Sequence, residues 1–213
     1  MFHVNRGVSV RHLRWAGLVG AVVFVVGFVM VSSVPGGGDP DPADFEEYYL
    51  TDDNTGLAIA GLLILSAGVI LLVLFLHYLR TQISTDLSRL AFASGVAGLA
   101  VVGTGACVLA APSAVQAFSD EEYVGQQIAH TFASAGFGVM LIPGALLLGL
   151  AIACYSLSGR ANGSLPAWVA IVGIIVAVLQ LLAIIWIPFL LVPVWMLLAS
   201  IGDAKPRRAV ATV

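Results

Sequence analysis

The chain alternates five long apolar blocks with short polar connections. The blocks run from Trp15 to Val31, Thr55 to Leu79, Leu90 to Ala111, about Tyr123 to Ser156, and Leu165 to Gly202. Each is long enough for a bilayer-spanning helix, which needs about 20 apolar residues, the first block lying at the low end of the range. The last block carries no charged residue from Leu165 to Gly202. At 1.5 Å per residue it would be roughly 57 Å long as one helix, nearly twice the hydrocarbon thickness. A break near Trp186-Ile187-Pro188 divides it into two short helices. The pattern therefore predicts an all-α polytopic bundle of six spans, at about 15–33, 55–79, 90–111, 123–156, 166–184 and 187–201. A basic arm, 1–14, precedes this single bundle, 15–202, and a basic tail, 203–213, follows it.

Turn residues mark the ends of the blocks. Pro35-Gly36-Gly37-Gly38 closes the first, and Asp41 before Pro42 predicts a short helix to Leu50 inside the loop 34–54. Phe45, Tyr48 and Tyr49 would then stand at headgroup level. Asp52 to Asn54 are cap candidates for the second span, and Ser84 to Asp86 for the third. Pro112 and Ser113 are expected to end the third span, and Pro143 to kink the fourth. Asn162-Gly163 predicts a turn before a helix opened by Pro166. Small residues suggest the packing faces: Gly17, Gly20 and Gly27 in the first span, and Ala145, Gly149 and Ala153 in the fourth. In the third they are Ala93, Ala97, Val101 and Gly105, with Gly103, Cys107 and Ala111 as another row. Small side chains let helices approach closely in lipid, where van der Waals contact replaces the hydrophobic drive. The third span is the expected centre of the bundle.

Composition agrees. Of 213 residues, 60% are hydrophobic and 10% charged, against about a quarter charged in soluble domains. The signs are segregated. All 9 Lys and Arg lie in the N-terminal arm, the Arg80 to Arg89 loop, Arg160 and the tail with Lys205, Arg207 and Arg208. Of the 12 acids, all but Asp86 and Asp203 lie in the other two connections. Positive residues stay cytoplasmic, which puts both termini inside and forces an even number of spans. The basic flank and first apolar run also resemble a signal peptide, but its h-region exceeds the usual upper limit of about 15 residues; a retained span is the favoured reading. A bacterial cytoplasmic membrane is the expected location.

Intramembrane ionisable groups mark function by default, and the proposed span interiors hold no Asp, Glu, Lys or Arg. This argues against a proton-coupled carrier built on a buried carboxylate. The only lysine, Lys205, lies in the tail, so no retinal Schiff base can form. His77 and His130 fall at opposite ends of their spans and cannot share a haem. No Cys-x-x-Cys, paired His or Gly-x-Ser-x-Gly is present, and no EF-hand spacing exists in the acidic loop. Cys107 and Cys154 are expected to be free. No cofactor, no metal and no nucleic-acid partner is expected, and an enzyme is the least favoured class. One polar set remains for a ligand: His130, Thr131 and Ser134 in the fourth span, Gln180 in the fifth and Thr104 in the third. They either line a small outer-leaflet cavity or serve as interhelical hydrogen-bonding glue. Asp44, Glu46, Glu47, Tyr48 and Tyr49 of the acidic loop are the candidate partner-facing surface.

Several stretches resemble a broad family of bacterial six-span membrane proteins of unknown function, frequent in actinobacteria. They are Phe45-Glu46-Glu47-Tyr48-Tyr49 leading through Asp52-Asp53-Asn54, Ala133-Ser134-Ala135-Gly136-Phe137 leading to Leu141-Ile142-Pro143-Gly144-Ala145, Leu165-Pro166-Ala167-Trp168, and Val194-Trp195-Met196-Leu197-Leu198 before the basic tail. The resemblance implies a six-helix bundle with two spans after Leu165 and assigns no catalytic or binding residues. The near absence of an outer loop between the last two spans departs from that pattern. The expected role is a non-enzymatic accessory or interaction protein, with the bilayer and a second membrane protein or copy of itself as partners. The alternative is a small permease or lipid-handling protein using the His130 set.

Overall fold

The computed structural model describes residues 13–35, 42–49, 52–119 and 125–202. Among these, every regular element is a helix: α1 Leu13–Val31, α2 Pro42–Tyr49, α3 Asp52–Ile83, α4 Asp86–Phe118, α5 Gln126–Val139, a π-helical turn Met140–Gly144, α6 Ala145–Asn162, α7 Ala167–Leu179, a 3₁₀ turn Gln180–Ile185, and α8 Ile187–Ile201. Five of the helical stretches are long and apolar enough to cross a membrane, and Ile187–Ile201 is a shorter apolar helix.

The first pair packs through glycine. A Cβ on Gly17 would meet the Phe75 ring, one on Gly20 would stand 2.9 Å from Leu71 Cβ, and one on Gly27 would strike the Leu65 backbone. From the other side, a Cβ on Gly61 would lie 2.7 Å from Met30 Cβ, and one on Gly68 would lie 2.6 Å from Phe24 N. Each step up α1 meets an equal step back along α3, so the two helices run antiparallel in one register along all of α1. Close backbone approach replaces hydrophobic drive in such a seam.

α4 lies at the centre, packed on α3, α5 and α6. Its packing row is Gly95, Gly98, Val102, Gly105 and Leu109, all buried. Gly95 faces Leu76, Gly98 faces Leu148, and Gly105 and Gly136 sit carbonyl-to-backbone at 2.7 Å from each other's missing Cβ. Of the rows expected from the sequence only Gly105 packs: Ala93, Ala97 and Cys107 are exposed, and Val101, Gly103 and Ala111 are only partly covered. Small residues recur all round this helix, and the row that packs is the one facing Leu76, Met140 and Leu148. Nor does α4 stop at Pro112. It continues to Phe118 with Pro112 buried inside it, because Gln116 is anchored beyond the proline, as described below.

Thr85 caps α4 through a reciprocal box with Ser88. Pro143 sits in the π turn, where the Ala145 N–H reaches the Met140 and Ile142 carbonyls. The additional residue per turn accommodates a ring that would clash with the carbonyl four positions back. α6 runs beyond the expected end at Ser156 to Asn162 and closes at Gly163, whose φ of 71° is the left-handed cap that glycine adopts without strain.

The final apolar block breaks at Trp186, φ 73°. Its N–H bonds the Ala183 carbonyl at 2.8 Å, and its own carbonyl accepts from Phe189 N–H at 3.1 Å. α8 thereby returns alongside α7. At its far end Arg14 of α1 donates from Nε to the Ser200 carbonyl and from Nη2 to the Ile201 carbonyl, the latter at 2.8 Å. The start of α1 and the end of α8 therefore share one end of the bundle. Asn162 Nδ2 donates to the Ile83 carbonyl at 2.8 Å, which brings the α3–α4 and α6–α7 connections to that same end.

Helix lengths then build a step. From this shared end α3 (32 residues) and α4 (33 residues) rise about 48–50 Å. α1 (19 residues) and α8 (15 residues) rise only about 28 and 22 Å. The ends of α3, α4 and α5 overshoot the others by roughly 20 Å, and α2 packs there, on α3 and α5.

Candidate functional site

At the projecting end, α2 is fastened by an interlocked polar set. Tyr48 OH donates to the Asn54 carbonyl at 3.2 Å, and Asn54 Nδ2 returns to the Tyr48 carbonyl at 3.3 Å. Thr55 Oγ1 donates to Gln116 Oε1 at 3.2 Å, while Gln116 Nε2 donates to the Tyr49 carbonyl. One amide thus ties α2, α3 and α4 together. Burial pushes the Tyr48 phenol up, and the nearby Ser33 and Ser113 hydroxyls partly counter the shift. Tyr48 and Tyr49 were expected at the surface; they are instead 9% and 1% exposed. Packing α2 flat across the helix ends turns both rings inward, edge to face at 5.0 Å. Asp44 and Glu47 on the same helix are exposed. The side chain of Glu46 lies outside the described residues.

The five residues of the proposed ligand set are spread along the bundle. His130 stands about 48 Å along its helix from Asn162, whereas Gln180 stands about 20 Å from Ala167, and both counts begin at the shared end. Thr104, Thr131 and Ser134 are exposed on the outer surface, and His130 is half-buried. Thr104 Oγ1 donates to the Ala100 carbonyl at 3.0 Å and Thr131 Oγ1 to the Gln127 carbonyl at 2.7 Å, each within its own helix. Only Gln180 is enclosed, at 2% exposure. Its Nε2 donates to the Pro188 carbonyl at 2.6 Å across the break between α7 and α8. A Cβ on Gly149 of α6 would lie 2.9 Å from Gln180 Cβ. Around the same break the Trp186 ring meets Phe137 at 4.7 Å and Phe28 at 5.5 Å, and Phe28 meets Phe189 at 5.2 Å. Gln180 closes the hairpin against α6, and these rings lock it onto α1 and α5.

The opposite end carries the described cations. Arg80 of α3 lies with its guanidinium carbon 5.2 Å from the centroid of Phe92 on α4, and His77 meets the same ring edge-on at 6.0 Å. Arg89 pairs with Asp86 at 3.2 Å. Among the described residues no cluster of His, Cys, Asp or Glu could hold a metal, and Cys107 and Cys154 are free thiols. Sequence reasoning missed Gln116 and Phe92. Gln116 was hidden by an assumed helix end at Pro112, and Phe92 looked like any apolar residue of a span. Searches of protein-family descriptions, curated proteins and solved structures find no match.

Proposed function

We propose that the chain is a multi-pass protein of a bacterial cytoplasmic membrane, crossing six times with both termini inside, and that it serves as a non-enzymatic accessory or interaction bundle. The topological part draws on the Arg14 bridge to Ser200 and Ile201, which favours an even number of crossings. The basic groups at that end favour the cytoplasm. A reporter fused after Val213 should read out as cytoplasmic; an extracytoplasmic readout would overturn the six-crossing arrangement.

The functional part is carried by one observation: the hydrogen-bonded polar side chains of the spanning helices either join helices or bond back within their own helix, and they are spread along the bundle rather than gathered at a path. Gln180 spans the α7–α8 break, Tyr155 OH donates to the Leu76 carbonyl at 2.8 Å, and the Ser94, Thr104 and Ser158 hydroxyls bond carbonyls of their own helices. Against this interior, α2 is a fixed surface feature that displays Asp44 and Glu47. Complex size in mild detergent, compared for the full chain and a deletion of residues 36–53, tests the role. A larger assembly that collapses on deletion supports it. A monomeric full chain, or an assembly indifferent to the deletion, refutes it.

A further inference from the structure

We infer that the lipid-facing groove between α3 and α4, at its basic end, is a binding site for the headgroup of an anionic phospholipid. Arg80 lies three residues before Ile83, the last residue of α3, about 5 Å in from the helix end. Basic residues near the end of a spanning helix are the ones that reach the headgroup region. A lone arginine at this level ordinarily reaches out toward water. This one is half-buried and laid over the Phe92 ring at 5.2 Å, so its planar fork is held in place before any ligand arrives. Among the described residues no carboxylate pairs with Arg80, while Asp86 is taken by Arg89 at 3.2 Å. His77, exposed and edge-on to the same ring at 6.0 Å, adds a donor on the lipid side.

A phosphodiester matches this arrangement. Its two free oxygens suit the guanidinium fork, and its negative charge meets Arg80. The trimethylammonium of a zwitterionic lipid would be repelled by the same cation. Toward the bilayer centre, at four-, four- and three-residue spacing from Phe92, α4 presents Val96, Ala100 and Gly103 along the same side. Ala100 is exposed, and a Cβ at Gly103 would meet nothing within 4 Å, which leaves room for an acyl chain. The inference depends on the chain lying in a bilayer; it does not depend on the accessory role.

The test is native mass spectrometry of the full chain in detergent, supplied with equal amounts of phosphatidylglycerol and phosphatidylcholine of identical chains. The first lipid adduct should favour phosphatidylglycerol several-fold. Arg80→Gln should cut that preference about five-fold, the usual contribution of one basic residue beside an anionic headgroup. Arg160→Gln, which removes an exposed cation at the same end, should leave it unchanged. Phe92→Leu keeps every charge but unpins the fork and should give an intermediate loss. If Arg80→Gln does not fold, Arg80→Lys takes its place, with a partial loss expected. Equal adducts of the two lipids, an equal effect of Arg160→Gln, or displacement of the lipid by millimolar glycerol phosphate would each overturn the inference.

Discussion

Replacing Gly68 by alanine should force α1 and α3 apart. The added Cβ would stand 2.6 Å from Phe24 N and 2.7 Å from Phe24 Cα, both backbone atoms that cannot rotate away. Normal contact is about 3.5–4.0 Å, so the helices must separate by about 1 Å locally, and a gap of that size forfeits a quarter to a half of each contact's attraction. The affected seam includes Phe24, Phe28, Leu65, Leu72 and Phe75, all buried to within 1%. In lipid no hydrophobic drive compensates. Overpacking of this kind costs about 1–3 kcal/mol, and the seam's length argues for the upper half. Alanine's better helix propensity returns about 0.5–1 kcal/mol. The expected net loss is about 2 kcal/mol, read as a shift in equilibrium unfolding when dodecyl sulfate is titrated into mixed micelles and helicity is followed by circular dichroism. Gly103→Ala is the matched control. Its Cβ meets open space, so only the propensity gain remains and stability should hold or rise slightly. If Gly68→Ala unfolds with the parent, or Gly103→Ala loses as much, the seam does not hold α1 to α3.

Three further outcomes follow from the same contacts. Gln180→Leu leaves the Pro188 carbonyl without its side-chain donor in an apolar interior, at a cost of about 1–3 kcal/mol, visible as a lower melting temperature in detergent. Arg14→Ala uncaps the last turn of α8 for about 1 kcal/mol, and amide exchange should quicken at Ser200 and Ile201 while α3 stays protected. Tyr48 carries the pH dependence of the projecting end. Its raised pKa means that the neutral phenol is favoured in the folded state. That stability is fully present below the unfolded value of about 10 and is lost as pH rises through the higher folded value. Melting of the parent should therefore fall above about pH 10, and Tyr48→Phe should show a shallower fall; equal slopes would show that the phenol is not buried against α3 in the folded protein.

The all-helical class and the break of the last block were legible because bulk apolarity and a proline beside a long uncharged run leave few alternatives. Gly17, Gly20 and Gly27 were legible as packing positions, since α1 has few other small residues on that face. The row on α4 was not. Ala93, Ala97, Gly95 and Gly98 are nearly equivalent as sequence, and only the shapes of Leu76, Met140 and Leu148 choose among them. The proposed ligand set brought together residues judged to lie in one leaflet. A helix from Gln126 to Asn162 with a π turn in it is too long for that, and it carries His130 far above Gln180. Tyr48 and Tyr49 were misread because amphipathic aromatics beside a span serve equally as membrane anchors or as buried pegs. Only the hydrogen bonds to Asn54 and Gln116 distinguish the two.

The unequal helices bear on the lipid around them. α8, with 15 residues, offers about 22 Å of apolar length to a hydrocarbon layer about 30 Å thick. α3 and α4 exceed that thickness. Along the α8 flank, where Ile187, Val194 and Ile201 face outward, lipid chains must shorten or tilt to keep the helix covered. Along the α3–α4 flank they need not. Such mismatch costs a fraction of a kcal/mol per ångström, and the cost falls when two thinned edges meet. The protein would thus carry a lateral polarity in the plane of the membrane, a preference for thin lipid or a short neighbour on one side, written by where Trp186 ends one helix and starts the next.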